Sequence, residues 1–341
     1  MGEFVRRRLG CEFLDYAINP FVAGVYAGDP ARLSLRHAFP RLHALEQRYG
    51  SLIGGQIFGA GERQRRAAGS RQDAKKISFD DGLQVLIDAL RERLEEKTWL
   101  HSAVTRVAQT PQGWALTVRR AGEEMQREHA AVLFAGTADT LAELQLKTRR
   151  RVDLGPLGRI QYPPVASVVL GFRREAVAHP LDGFGVLVPQ VEGCKILGTL
   201  FSSSLFPNRA PAGHVTLTTY VGGARSPELA LLDTESLVDL VCRDLRSLLG
   251  VTGQPTFEHH ILFRRSIPQY EVGYGCCKDL MAEAEASAPG FFLAGNYRDG
   301  VSLSDSIVSG HEAAERLGRY LAPRLPAGQG TSGELQTSAV A

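Results

Sequence analysis

Residue types and spacing first suggest chemistry near the C-terminus. An apolar run, Phe291-Phe292-Leu293-Ala294-Gly295, leads through Asn296-Tyr297-Arg298-Asp299-Gly300-Val301 to a helical pattern starting at Leu303. Backbone N–H groups at a helix start lack intrahelical partners and attract anions or oxygen acceptors. Ser302 or Ser304 can cap that helix, and Gly300 lets a ligand approach the backbone. The same punctuation also builds an ordinary strand-to-helix junction. Other groups offer less. His259-His260 has no carboxylate or cysteine nearby at ligand spacing, so no metal site is expected. Cys276-Cys277 could cycle between thiol and disulfide, though inert thiols are commoner. Ser202-Ser203-Ser204 lacks the glycine-flanked elbow of a serine nucleophile. No side chain stands out as a catalytic acid, base or nucleophile.

These groups must be positioned by a mixed set of elements. Apolar spacing predicts a helix over 2–18, ended by Asn19-Pro20 because proline disfavours helix in the residue before it. A loop follows over 24–30, then a helical pattern over 33–49 interrupted at Pro40. Residues 61–76 form a basic linker. Ser78 is expected to cap a helix whose stripe is Phe79, Leu83, Leu86, Ile87, Leu90 and Leu94. Strands are expected over 100–108 and 114–119, joined by the turn Pro111-Gln112-Gly113, and over 132–136. A strand-rich stretch follows at 165–172, 184–189, 196–201, 215–221 and 257–264. It is interrupted by one helix running from an Asp233 cap to a Gly250 stop. A final buried strand and a helix over 303–321 precede a disordered tail rich in Pro, Gly and Ser.

Composition narrows the class. The 341 residues are 44% apolar and 22% charged, a globular balance, and 39 basic against 37 acidic side chains leave a net charge of +2. No strong field favours nucleic acid. Apolar runs fall well short of the roughly twenty residues of a spanning helix. Five cysteines without CxxC spacing fit a reducing compartment, and a cytoplasmic location is expected. The Arg6-Arg7-Arg8 run with Phe4, Phe13 and Phe21 could meet anionic lipid headgroups, or could be a solvated helix face.

The 291–307 segment resembles the C-terminal signature of the flavin amine-oxidase superfamily, in its protoporphyrinogen-oxidising branch. Further segments match in the same order: 21–30, Leu45-Glu46-Gln47, 51–55, Ser78-Phe79 with Gly82-Leu83, 183–189, 197–203 and Ile267-Pro268-Gln269-Tyr270. The resemblance reaches from the start to about residue 322. It implies a mixed α/β and α+β fold, amine-oxidase-like, which holds FAD. The strand–GxGxxG–helix unit with which the family begins has no counterpart here, since Gly183-Phe184-Gly185 and Gly273-Tyr274-Gly275 lack the third glycine. The chain is therefore expected to correspond to the central and C-terminal parts of a longer protein and to hold FAD weakly or not at all by itself.

By the same resemblance, 1–76 is a helical region for membrane-surface contact and substrate access. Residues 77–151 and 271–322 are parts of the FAD-binding domain, and 152–270 is a sheet-rich substrate domain. Val104 lies near the FAD adenine, and Gly300, Val301, Ser302 and Leu303 form the turn against the flavin. Gly24, Phe184, Gly185, Leu187, Leu200 and Tyr220 line a tetrapyrrole pocket, where an apolar, aromatic lining suits a flat macrocycle. The implied reaction is oxidation of protoporphyrinogen IX to protoporphyrin IX, with FAD accepting hydride and molecular oxygen as final acceptor. Coproporphyrinogen III is the alternative substrate. In a different class, the chain could be a catalytically incomplete fragment or an FAD-lacking binding subunit.

Overall fold

The computed structural model describes residues 1–49, 77–94 and 97–324. The basic linker over 61–76 and all but the first two residues of the tail expected over 323–341 lie outside them. The chain divides into two units, each built from two separate stretches: Leu100–Arg159 with Gly275 onward, and Met1–Trp99 with Ile160–Tyr274. Residues 77–99 thus belong with the sheet-rich unit, not with the stretch that follows them.

In the first unit, β1 (Ser102–Gln109), β2 (Trp114–Arg120) and β3 (Glu123–His129) form an antiparallel meander. The turn at 111–113 closes as expected, with Thr110 N–H donating to the Gly113 carbonyl at 2.8 Å. Val107, Trp114 and Val118 alternate inward and are buried. No strand is expected from the sequence at β3, whose Glu-rich run reads as surface. It forms because Ala121 and Gly122 both take left-handed conformations, φ 51° and 87°, giving a tight two-residue hairpin turn. Its exposed charges are those of an edge strand. After β4 (Val132–Phe134), β5 (Gln145–Lys147) adds in parallel to β1, for the order β3-β2-β1-β5.

The second unit carries an antiparallel sheet ordered β10-β6-β9-β8-β7, from β6 (Val165–Arg173), β7 (Gly185–Leu187), β8 (Ile196–Leu200), β9 (His214–Gly222) and β10 (Phe257–Phe263). Strand alternation sorts its two faces. Ala166, Val168, Leu170 and Phe172 join Leu217 and Val221 against the helix Thr234–Leu249, whose Leu237, Val241 and Leu245 are fully buried. Each such leucine contributes about 1.5–3 kcal/mol of burial free energy. The Asp233 carboxylate caps this helix, accepting from Ser236 N–H at 2.9 Å, and Gly250 ends it at φ 61°. On the opposite face Val165 and Tyr220 border one cavity, and Val169 and Thr218 border a second.

Several expectations for this unit are corrected. No single helix runs over 2–18. Helix Gly2–Leu9 breaks at Gly10 (φ 90°), a short turn and a π-helical turn over Leu14–Ile18 follow, and a new helix spans Asn19–Tyr26. Pro20 does not end a helix. It sits in the first turn of the new one, where a missing N–H costs no hydrogen bond, and the wider π turn absorbs the irregularity. Residues 24–26 are therefore helical, and Ala27 in a left-handed conformation stops them. Phe4 is buried with Val5, Leu14, Val22 and Leu33, so it faces the core rather than solvent. Ser78 caps no helix either. Gly82 (φ 88°) delays the helix to Gln84–Leu94, and the Arg209 guanidinium claims the Ser78 hydroxyl (3.2 Å) and the Phe79 and Asp80 carbonyls (both 2.6 Å). Phe79, Leu83, Ile87, Leu90 and Leu94 are exposed, not a core stripe.

The first unit resumes with a helix over Gly275–Ser287. β11 (Phe291–Leu293) pairs in parallel with β4, and the helix Leu303–Leu321 follows. Among the described residues no helix is long and apolar enough to cross a membrane.

Candidate cofactor and substrate sites

The loop leaving β11 is held from below. Glu285 on the helix Gly275–Ser287 accepts from the β11 amide of Leu293 at 2.8 Å and from Arg298 and Arg316, each at 2.8 Å. Both guanidiniums also donate to the Leu293 carbonyl, at 2.8 and 3.2 Å. Burial opposes the Glu285 charge, yet these donors outweigh it and hold the carboxyl below its usual range. The loop itself needs glycine. At Gly295 (φ 142°) a Cβ would stand 2.8 Å from the Tyr297 ring, and at Gly300 it would strike the Asp305 carboxylate.

Ser302, not Ser304, caps the helix. Its hydroxyl accepts from Asp305 N–H at 3.1 Å, while the Asp305 carboxylate accepts from Ser302 N–H at 3.2 Å, a reciprocal box. The Ser302 amide is therefore occupied, contrary to the expectation that it is open. The Val301, Leu303 and Ser304 amides have no hydrogen-bond partner among the described residues. Leu303, Ile307 and Val308 nearby are half-exposed. Open N–H donors, a turn too crowded for a Cβ and exposed aliphatic side chains fit a planar ring that carries carbonyl acceptors, as a flavin does. Val104 is half-exposed on β1 beside an irregularity in the β1–β2 register. It lies in the four-stranded sheet, whereas the Gly300 loop leaves the two-stranded one.

The sheet-rich unit holds a cavity of about 730 Å³. All six expected pocket residues line it: Gly24 from the helix Asn19–Tyr26, Phe184, Gly185 and Leu187 around β7, Leu200 on β8 and Tyr220 on β9. Strand register brings them together, with Gly185 opposite Leu200, Leu187 opposite Gly198, and Gly198 opposite Tyr220. A Cβ on Gly24 would strike the end of Leu187, and one on Gly198 would meet the Val186 carbonyl at 2.6 Å, so these glycines keep the wall thin. Burial pushes the Tyr220 phenol above its ordinary value, which keeps it neutral. The wall also includes Val165, Phe263, Arg265, Ser266 and Ile267, which sequence reasoning missed. Arg265-Ser266 directly precedes the Ile267-Pro268-Gln269-Tyr270 motif, the one signal that pointed there.

Burial, and then the neighbouring Cys276, push the Cys277 thiol up to about 11. No group of three or more His, Cys, Asp or Glu side chains among the described residues could hold a metal ion.

The model of the flavin containing amine oxidoreductase family matches residues 1–318, and the chain belongs to that family. Within it the similarity is to protoporphyrinogen oxidases. The chain is 36% identical to protoporphyrinogen oxidase 2, chloroplastic/mitochondrial, of Arabidopsis thaliana, with 94% of this chain and 67% of that protein covered. It is 28% identical to coproporphyrinogen III oxidase of Bacillus subtilis, with 94% and 67% covered. A crystal structure from Exiguobacterium sp. 255-15, assigned as a protoporphyrinogen oxidase, superposes with a TM-score of 0.75 at 25% identity, covering 93% of this chain and 66% of that one. The chain thus spans about two-thirds of the length of these relatives.

Proposed function

We propose that this chain serves the FAD-dependent oxidation of protoporphyrinogen IX to protoporphyrin IX, with molecular oxygen as the terminal acceptor. The observation that carries this reading is the 730 Å³ cavity, whose apolar wall gathers Gly24, Phe184, Gly185, Leu187, Leu200 and Tyr220 from segments far apart in sequence. Val104 and the backbone of Gly300, Val301, Ser302 and Leu303 are the residues that would hold the cofactor, the open amides of Val301 and Leu303 serving ring carbonyl oxygens. Bound FAD supplies hydride acceptance.

The protein's part is to bind and orient. Phe184, Leu187 and Leu200 take up the faces of the macrocycle and exclude water, which favours an apolar ligand through burial, with stacking gained as the ring becomes the flat, conjugated porphyrin. Among the lining residues none is a carboxylate or histidine, and Tyr220 is a neutral hydrogen-bonding group. Because hydride abstraction is the cofactor's chemistry, we assign no protein acid or base. Each hydride removed from the substrate is accompanied by a proton, and each electron pair reduces one oxygen molecule to hydrogen peroxide.

The reading is tested on this chain joined behind the strand–GxGxxG–helix segment of a protoporphyrinogen oxidase relative, following porphyrin fluorescence from protoporphyrinogen IX in air, with and without added FAD. An FAD-dependent rise above autoxidation, with peroxide formed, is the expected result. A rate that FAD leaves unchanged contradicts it.

Peripheral contact with a membrane from its cytoplasmic side belongs to the same proposal. Phe13, Tyr16 and Phe21 are exposed along the N-terminal helices that also carry Arg6, Arg7 and Arg8. Aromatic side chains beside cations suit the headgroup region.

A further inference from the structure

A buried side chain ties together two parts of the cavity wall. Gln269 stands two residues beyond the wall residue Ile267 and is 3% exposed. Its Nε2 donates to the Tyr26 carbonyl at 2.8 Å and to the Ile267 carbonyl at 2.9 Å. Both partners only accept, so the amide nitrogen is the atom that faces them. Tyr26 ends the helix Asn19–Tyr26, and its carbonyl is among those that no intrahelical N–H reaches. The Gln269 backbone is itself fixed, its N–H donating to the Gln161 carbonyl at 2.9 Å. Gly24, two residues before Tyr26, packs against Leu187 on β7 and the Leu197 carbonyl on β8. Gln269 follows β10, at the other edge of the same sheet.

We propose that Gln269 is a positioning residue of this cavity. By holding the Tyr26 end of the helix to Ile267, it fixes how closely Gly24, Val25 and Ala27 approach the apolar edge of the macrocycle, and so how well the site distinguishes the substituents on that edge. This rests on the tetrapyrrole reading of the cavity and adds to it a specificity-determining residue that stands behind the wall. Without the amide nitrogen, two carbonyls would be left unpaired, and the helix end would shift to find water. A gap of about 0.5–1 Å already forfeits a quarter to a half of the dispersion attraction between facing atoms, so a small retreat blunts the fit. Gly28 leaves the space this amide needs. A Cβ there would stand 2.6 Å from Gln269 Oε1 and 3.1 Å from the end of Leu33. Gly28 does not take a left-handed φ, so its demand is one of space and not of backbone conformation.

The test uses two stable porphyrins with the same pair of propionates. Protoporphyrin IX carries two vinyl groups where deuteroporphyrin IX carries hydrogen. Binding of each is measured by fluorescence on the full chain, on Gln269→Met, which keeps the length of the side chain without its donors, and on Gly28→Ala, which displaces the amide without removing it. The wild-type chain is expected to prefer protoporphyrin IX by about tenfold, through burial of the vinyl groups. Each variant is expected to cut that preference to about threefold or less. The ratio of the two affinities does not depend on the fraction of chain that is folded. A role confined to folding would therefore weaken both porphyrins alike, and a preference unchanged in Gln269→Met overturns the proposal. Equal binding of the two porphyrins by the wild-type chain overturns it whether or not the variants fold. A wild-type chain that binds neither porphyrin instead overturns the tetrapyrrole reading on which the proposal rests.

Discussion

Arg298 Nη1 stands 2.8 Å from Glu285 Oε1, and both side chains are largely buried. The contact ties the loop that follows β11 to the helix Gly275–Ser287, and Arg316 closes it from the other carboxylate oxygen. Because the folded pKa of Glu285 is depressed, its contribution is present above the unfolded value near ~4.3 and is lost as pH falls through the folded pKa. Glu285→Gln is expected to lower stability by about 2 kcal/mol at neutral pH and to flatten the acid limb of the melting profile. Hydrogen exchange of the 296–303 amides should accelerate in that variant. Thermal melts over the acid range that superimpose for both proteins would contradict the clamp.

Two glycines of the cavity wall should respond oppositely to alanine. At Gly24 the added Cβ meets the flexible end of Leu187, so Gly24→Ala should weaken porphyrin binding while leaving the melting temperature nearly unchanged. At Gly185 it meets the Thr199 carbonyl and the Leu200 backbone, so Gly185→Ala should disturb the β7–β8 pairing and lower the melting temperature by several degrees. Measuring both properties on both variants separates wall shape from strand pairing.

Tyr220 is expected to act as a neutral phenol. Its raised pKa means that its contribution to stability persists below ~10 and is lost only as pH rises through the folded value. Tyr220→Phe should keep the neutral pH profile of turnover, and Tyr220→Ala should raise KM through lost stacking surface. An alkaline limb that disappears in the Phe variant would make Tyr220 a proton-transfer group instead.

The vicinal cysteines should be dispensable. With Cys277 held near 11, its thiolate is scarce at neutral pH, and alkylation should proceed faster at exposed Cys11. A Cys276→Ser/Cys277→Ser chain should keep its activity. Loss of turnover, with an unchanged melting temperature, would point to thiol redox chemistry.

Membrane contact can be read by sedimentation with vesicles containing anionic phosphatidylglycerol. Replacing Phe13, Tyr16 and Phe21 with serine should leave the chain in the supernatant, whereas Phe4→Ser should unfold it, since Phe4 is buried. Equal sedimentation of the triple variant and the wild type would remove these aromatics from any membrane role.

Local signals were legible wherever one residue type decides an element's end. Asp233 and Gly250 bracket their helix as expected, and Ser302 starts the last one. The continuous apolar run of β6 and the alternating run of β9 read directly as strands. The path over 10–26 did not, because burial of Phe4, Val5, Leu14 and Val22 settles where helix gives way to π turn. β3 was hidden by its charges. Arg265 was equally hidden, since beside Arg264 it looks like ordinary surface until the register of β10 on β6 places it at the cavity rim. The wall residues came from family resemblance; pairing across β7, β8 and β9 is what physically gathers them.

The most direct test is a crystal structure of the chain soaked with protoporphyrin IX. The expected result is the porphyrin lying over Leu200 and Tyr220. Porphyrin bound elsewhere on the molecule, with the Leu200–Tyr220 cavity holding only solvent, would contradict the assignment.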